Sequence, residues 1–438
     1  MAMKHYKGKL GEFDYDDKEF TLGRYGSKLE YVDIGEEECL AYIGNEGDGS
    51  KIHIPEGITD CYRMFYTRGC LETPPKIPDS VKSCNGMFWF CRNLREAPDI
   101  PGSVKDCSHM FDNCRLLRTA PKIPDGVKDC SFMFHCCNNI HTAPVIPNSV
   151  RGCRYMFSYC ESLETAPVIP DGVTDCNYMF SGCKILKTAP SVIPGSVKDC
   201  RQMFESCTSL EKVPDIAIGV ENCEGMFYNC ACIKNAPEIP DGVKCCDAMF
   251  QYCDSLEKAP SRIPGSVENC NRMFYNCTSL KTAPEISNGV INCDYMFNGC
   301  KSLKTAPSRV PESVENCIYM FYDCKSLKTA PDIPDGAKNY RGMFENCKVL
   351  EKKPKLPKEM KARHDRVFYG CTAIKENFRS IPDNEKYTVA RFHRTKFTDE
   401  EANYNNKSTS NSIDAGNTRG TDLEINAEVL ETGDDQYS

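Results

Sequence analysis

From about Ile52 to Ile374 the apolar positions recur in one fixed order, with polar residues between them. The stretch from Val290 to Pro307 shows one cycle, with apolar side chains at Val290, Cys293, Met296, Phe297, Cys300 and Leu303. Steps of three and four place side chains on one face of a helix or 3₁₀ segment, so the pattern predicts a short helical segment here. Asn292 precedes the first cysteine, and Asp or Asn fills this column often (Asp106, Asp129, Asp175, Asp199, Asn222, Asn269, Asn316). A short oxygen-bearing side chain there can accept a bond from exposed backbone N–H groups, as a helix N-cap does. Leu303 to Ala306 then reads as a short strand, with Leu and Ala inward and Lys304 and Thr305 outward. Pro307 lacks the N–H needed for a ladder bond and should end that strand. The following "IPDG" or "IPGS" turns the chain back.

The cycle is a repeat. Met-Phe recurs with Met at 64, 87, 110, 133, 156, 179, 203, 226, 249, 273, 296, 320 and 343, and a decayed copy follows at Val367-Phe368. The step is 23 or 24 residues, giving fourteen copies of V-x-x-C-x-x-M-F-x-x-C-x-x-L-x-x-A-P-x-I-P, some imperfect. A period of 20–29 residues around a leucine-centred consensus is the signature of a leucine-rich-repeat solenoid. The expected fold is about fourteen rungs, with short parallel strands on one face and short helical or 3₁₀ segments on the other. Such a stack needs capped ends. Residues 1–50 fit an N-terminal cap, with strand-like "EFDYDDKEF" and "KLEYVDI". The solenoid is assigned to 51–378 and a C-terminal cap to 379–397. The stretch 398–438 reads as an acidic, disordered tail, because it has too few apolar residues to bury.

Charge narrows the function. The net charge is −8, and 401–438 holds eight acidic and two basic residues. This balance speaks against a nucleic-acid or membrane-surface binder. No run of about 18 apolar residues exists, so no membrane insertion is expected. The start "MAMKHYKGKLGEFDYDD" lacks the apolar core of a signal peptide. A cytoplasmic location follows as the expectation, with the cell surface, reached by an unrecognised route, as the alternative.

Cysteine is the candidate chemistry, at 30 residues. Twelve lie three residues before the Met, from Cys61 to Cys317, and thirteen lie four residues after it or after Val367, from Cys91 to Cys371. Cys39, Cys70, Cys136, Cys232 and Cys245 fall outside both columns. The favoured reading is two ladders of small buried hydrophobes with a weak S–H donor. Disulfides compete, but side chains of one column point the same way on successive rungs, which opposes the close Cβ approach of a bridge. Zinc competes too, but C-x₆-C does not match the usual C-x₂₋₄-C pair. The histidines at 5, 53, 109, 135, 141, 364 and 393 show no repeated pairing with cysteine. No phosphate-binding glycine loop or H-E-x-x-H motif occurs. The expectation is a protein that is not an enzyme and carries no cofactor and no metal.

The run "MF-x-x-C-x-S-L-x-x-A-P-x-I-P-x-x-V-x-x-C" resembles the BspA-like leucine-rich repeats, and the bacterial surface-protein repeats containing "MFxxCxSL". The resemblance spans about Ile52 to Ile374. It implies a non-enzymatic solenoid of a kind often found in surface proteins that bind host proteins, matrix or other cells. The chain departs from many relatives in placing Cys where they have an aliphatic residue, and Ala-Pro where they have two β-branched residues.

A partner is expected on the strand face, the usual recognition surface of repeat solenoids. The position after the column Leu is charged in thirteen copies, the exception being His141, and Thr often follows. Lys187, Thr188, Lys281, Thr282, Lys304, Thr305, Lys328 and Thr329 are therefore the candidate contacts. Lys281, Lys304 and Lys328 would form a locally basic stripe for an acidic protein. The competing reading is a solvated face with Thr chosen for strand propensity. Tyr228, Tyr275, Tyr322 and Tyr369 on alternate rungs, with Trp89, are a second candidate surface. The function expected is a non-catalytic, monomeric scaffold for an unknown protein partner. The alternative is a surface adhesin or structural component binding host protein or glycan.

Overall fold

The computed structural model describes residues 3–29, 32–357 and 365–374, with backbone alone for 23–38. These all belong to one compact unit, residues 1–388. The predicted C-terminal cap (379–397) and acidic tail (398–438) lie outside the described residues, as do His364 and the last residues of the predicted solenoid, 375–378.

The N-terminal residues form two antiparallel hairpins. β1 (Met3–Gly8) pairs with β2 (Gly11–Asp16), and β3 (Phe20–Leu29) pairs with β4 (Val32–Tyr42). "EFDYDD" is mostly β2, but "KLEYVDI" covers the end of β3 and the start of β4 rather than one strand. Alternation buries Tyr6, Phe13 and Tyr15 on one side of the first hairpin. The hairpins meet the first rung by backbone bonds: Thr59 N donates to the Leu10 carbonyl at 2.8 Å, and Tyr42 N to the Met64 carbonyl at 2.8 Å. Tyr42 also lays its ring 5.3 Å from that of Phe65.

The Met-Phe segments are not helical, contrary to the periodicity. In the rung of Met156, alternate N–H groups leave the rung. Those of Cys153, Tyr155, Phe157 and Tyr159 donate to Asp175, Asn177, Met179 and Ser181 of the next rung, at 2.6–3.2 Å. The N–H groups of Met156, Ser158 and Cys160 return three residues, to Cys153, Tyr155 and Phe157. Tyr155 and Tyr159 sit at φ 54° and 57°. A helix keeps φ negative and directs each N–H back along its own turn. Here half of them serve the neighbouring rung, and two left-handed residues per rung close linked tight turns. The apolar steps of three and four arise from these turns.

Ladder pairing is also placed differently. The predicted strand at Leu303–Ala306 is a one-residue bridge, Thr282 to Thr305. The two-residue strands β5 (Val192–Ile193), β6 (Asp215–Ile216), β7 (Arg262–Ile263) and β8 (Glu285–Ile286) lie in the stretch read as a turn, and pair in parallel as β5–β6 and β7–β8. The most continuous ladder runs along the Asp/Asn column, from Asp60 through Ser83 and Asp106 to Asn339. There the expected capping occurs as a tight side-chain turn: Asp175 accepts from Asn177 N at 2.9 Å and Asn292 from Asp294 N at 2.9 Å.

The core is built from columns. Phe rings from Phe65 to Phe344 and Phe368 stack with centroids 5.3–5.9 Å apart and planes within 13°. That spacing exceeds the ~4.8 Å between paired strands. The rings are therefore offset, as their quadrupoles favour. Column Val, Met, Cys and Leu pack around the stack, almost all fully buried. Among the described residues no helix is long and apolar enough to cross a membrane.

Candidate recognition face

Each rung presents the residues after its column Leu outward, because Leu fills the core and the next two side chains turn away from it. Lys187, Thr188, Lys281, Thr282, Lys304, Thr305, Lys328 and Thr329 are all exposed. Single-residue bridges hold Thr142, Thr165 and Thr188 in line, and likewise Thr282 and Thr305. The backbone links the charged column too, with Lys304 N donating to the Lys281 carbonyl at 2.9 Å.

The charged column pairs with itself. Arg95 meets Glu72 at 3.5 Å, His141 meets Glu164 at 3.5 Å, Lys328 meets Glu351 at 3.6 Å, and Lys281 contacts Glu257. The expected basic stripe is thus partly neutralised by neighbouring rungs. Among the described residues, Lys187 and Lys304 form no ion pair. Exposed pairs of this kind contribute at most about 1 kcal/mol each.

A column of exposed apolar side chains just after the threonines in the chain was not anticipated. Val145 is 84% exposed, Val168 78% and Val192 45%. They occupy the position before the column Ile on three successive rungs. Elsewhere that position is Lys76, Asp99, Lys122, Asp215, Glu238, Arg262, Glu285, Arg309, Asp332 or Lys355. Three valines in an otherwise charged column were legible in the sequence, had that column been compared. They follow the aligned threonines 142, 165 and 188 by three or four residues in the chain.

The tyrosine surface differs from expectation. Tyr228 and Tyr275 are half-buried and pack edge-on against Tyr252 of the rung between them, at 5.6 Å each. Trp89 is buried. The Arg63 guanidinium lies 4.6 Å over its ring, and Gly86 leaves the space: a Cβ there would sit 3.2 Å from the Arg63 Cγ. Trp89 also starts a second ring stack, through His109 (5.0 Å), Phe132 (4.4 Å), Tyr155 (4.6 Å) and Tyr178 (4.4 Å). Beneath it Asp112 is buried between His109 and His135. Burial alone would raise this carboxyl, but the two imidazoles outweigh it and hold it below the ordinary carboxylate range.

All 30 cysteines are free thiols. Those four residues after the Met donate S–H to the Phe carbonyl of the preceding rung at 3.0–3.2 Å, from Cys91 to Phe65 through Cys371 to Phe344. Burial pushes thiols of both columns up, Cys223 and Cys253 to about 12 and Cys230 further, which keeps them unreactive.

Parallel rungs of 23–24 residues on a buried leucine column define a leucine-rich-repeat fold. The family described as "BspA type Leucine rich repeat region (6 copies)" matches residues 85–211, 130–257, 191–304, 222–351 and 294–412. These matches span most of the chain, which belongs to the BspA-type leucine-rich-repeat family. A leucine-rich repeat protein from Bacteroides ovatus shares the fold, with TM-score 0.63 and 22% identity over 88% of this chain and 99% of that one. A leucine-rich repeat protein from Eubacterium ventriosum aligns at TM-score 0.41 and 14% identity, over 81% of this chain and 97% of that one. A leucine rich cell surface protein from Faecalibacterium prausnitzii aligns at TM-score 0.37 and 20% identity, over 69% and 94%. No curated protein matches the sequence.

Proposed function

We propose that the chain is a non-catalytic, monomeric scaffold that recognises a protein partner through this outward face, centred on Val145, Val168 and Val192. The observation that carries the reading is the run of exposed valines on successive rungs, in a column otherwise charged. Contiguous exposed apolar side chains ringed by polar ones mark protein interfaces. Here the rim is Thr142, Thr165, Thr188, Lys187 and the His141–Glu164 pair. Lys281, Lys304 and Lys328 supply a second, electrostatic part, in which Lys304 is the cation left for an acidic group. The scaffold is read as fourteen rungs. Paired left-handed residues recurring from Arg63 and Thr67 to Arg366 and Gly370 support that count.

The test is capture from native lysate of the source cell by three forms of the full chain: wild type, Val145→Asp/Val168→Asp/Val192→Asp, and Lys281→Glu/Lys304→Glu/Lys328→Glu. The valine variant should lose the partner. The lysine variant should weaken capture and remove its salt dependence. Equal capture by all three would rule out this face.

A further inference from the structure

Just after two successive Met-Phe pairs, side chains of neighbouring rungs form one line of contacts that ends at a thiol. Asp112 is buried, and one of its oxygens lies 2.9 Å from His109 Nδ1. Its other oxygen lies 2.8 Å from His135 Nδ1, one rung later, and accepts from Asn113 Nδ2 at 2.9 Å. His135 turns its second nitrogen, Nε2, to Cys136 Sγ at 3.5 Å. Cys136 belongs to neither cysteine column and is half-buried. The His135 side chain is 22% exposed, so the pair lies at the surface. The adjacent Cys137 is buried, with its S–H committed to the Phe111 carbonyl at 3.1 Å.

A thiol in contact with an imidazole, itself oriented by a buried carboxylate, is the arrangement that activates a nucleophile. We propose that Cys136 is a nucleophilic thiol, served by His135 and positioned by Asp112, and that small disulfides modify it. In the step, Cys136 Sγ bonds to one sulfur of the disulfide and the disulfide's S–S bond breaks. The Cys136 proton goes to solvent as the attacking thiolate forms, the released thiolate takes one back from solvent, and the His135 ring keeps its own. One protein thiol and one disulfide become one mixed disulfide and one free small thiol. Cys137, held in the core, is not placed to resolve the product, so the modification persists until an external thiol removes it.

Electrostatics supports the geometry. Burial pulls the His135 imidazole down, but the Asp112 carboxylate outweighs it and pushes the ring up to about 10. A protonated His135 ring places a positive charge 3.5 Å from the Cys136 sulfur. The other ionisable rings facing His135 are those of Tyr155 and Tyr159, edge-on at 6.3 and 6.0 Å. Cys70 and Cys232 are exposed but have no histidine contact among the described residues, so they serve as internal controls.

The experiment exposes the reduced, native full chain to oxidised glutathione at pH 7, quenches with acid, and maps the modified cysteines by peptide mass. Cys136 should react at least about tenfold faster than Cys70 and Cys232. His135→Gln should bring Cys136 down to their rate and leave theirs unchanged. In Asp112→Asn, the His135 ring should titrate by NMR near or below the ordinary ~6.5. Equal rates at Cys136, Cys70 and Cys232 in the wild type would overturn the proposal without any variant. An unchanged Cys136 rate in His135→Gln would overturn it as well, and an unchanged titration in Asp112→Asn would remove Asp112 from it.

Discussion

The thiol of Cys160 donates to the backbone carbonyl of Phe134, one rung earlier, at 3.1 Å. That carbonyl also accepts the N–H of Cys137 at 3.1 Å, so both of its lone pairs are used. The second cysteine column is thereby more than apolar filling. Each thiol ties its rung to the one before it, at a point where an aliphatic side chain could not.

The two cysteine columns should respond differently to serine. Cys160 has an acceptor, whereas Cys153, on the same rung, packs against apolar neighbours with no side-chain bond among the described residues. Serine at 160 keeps a donor in place, but at 153 it buries a hydroxyl without one. Cys153→Ser should cost about 1–2 kcal/mol more than Cys160→Ser. The comparison is made on urea midpoints, and the reverse order would show that the S–H bond contributes nothing.

Thr67 occupies a left-handed position, at φ 59°, where a β-branched residue is strained. The corresponding residues on later rungs include Asn113, Asn229, Asn276 and Asn346, which tolerate that conformation better. Its side chain is exposed, so little packing is lost on replacement. Thr67→Asn should stabilise the chain by about 1 kcal/mol. A lower melting temperature in the variant would contradict this.

Alkali should unfold the protein within a narrow range. Burial raises the column thiols in the folded state, so they stay protonated there. Once unfolded, they titrate near an ordinary value of about 8.5. Above that pH the unfolded state binds fewer protons than the folded one, so stability falls as pH rises, and keeps falling up to the raised folded values. Below about pH 8 the contribution is whole. Each buried thiol loses about 1.4 kcal/mol per pH unit. A handful of them therefore outweighs the roughly 5–15 kcal/mol that holds a domain folded. Thermal melts in reductant should drop steeply from pH 8.5 to 10, and a constant melting temperature across that range would refute the argument.

Much of this molecule is legible from its residues. The 23–24-residue period, the two cysteine columns, the buried Leu and Phe and the outward Lys-Thr pairs follow from composition at fixed spacing. A repeat stack makes each position's environment nearly the same on every rung. The sequence also carried the valine stripe at 145, 168 and 192, visible once one column is compared across copies. It misled on local conformation, because steps of three and four are shared by helices and by successive three-residue turns. Which of the two forms depends on where the N–H groups go, and those of Tyr155 and Phe157 go to another rung.

The repeat, the core columns and the outward Lys-Thr pairs are fixed by the linear chain, since burial pattern and period are its properties, whereas the burial of Trp89 is not among them. The turn geometry, the self-pairing of the charged column and the line from Asp112 through His135 to Cys136 come from the folded stack alone. Each of these rests on contacts between rungs about 23 residues apart. Their distances are set by how adjacent rungs stack, which the spacing of one rung does not contain.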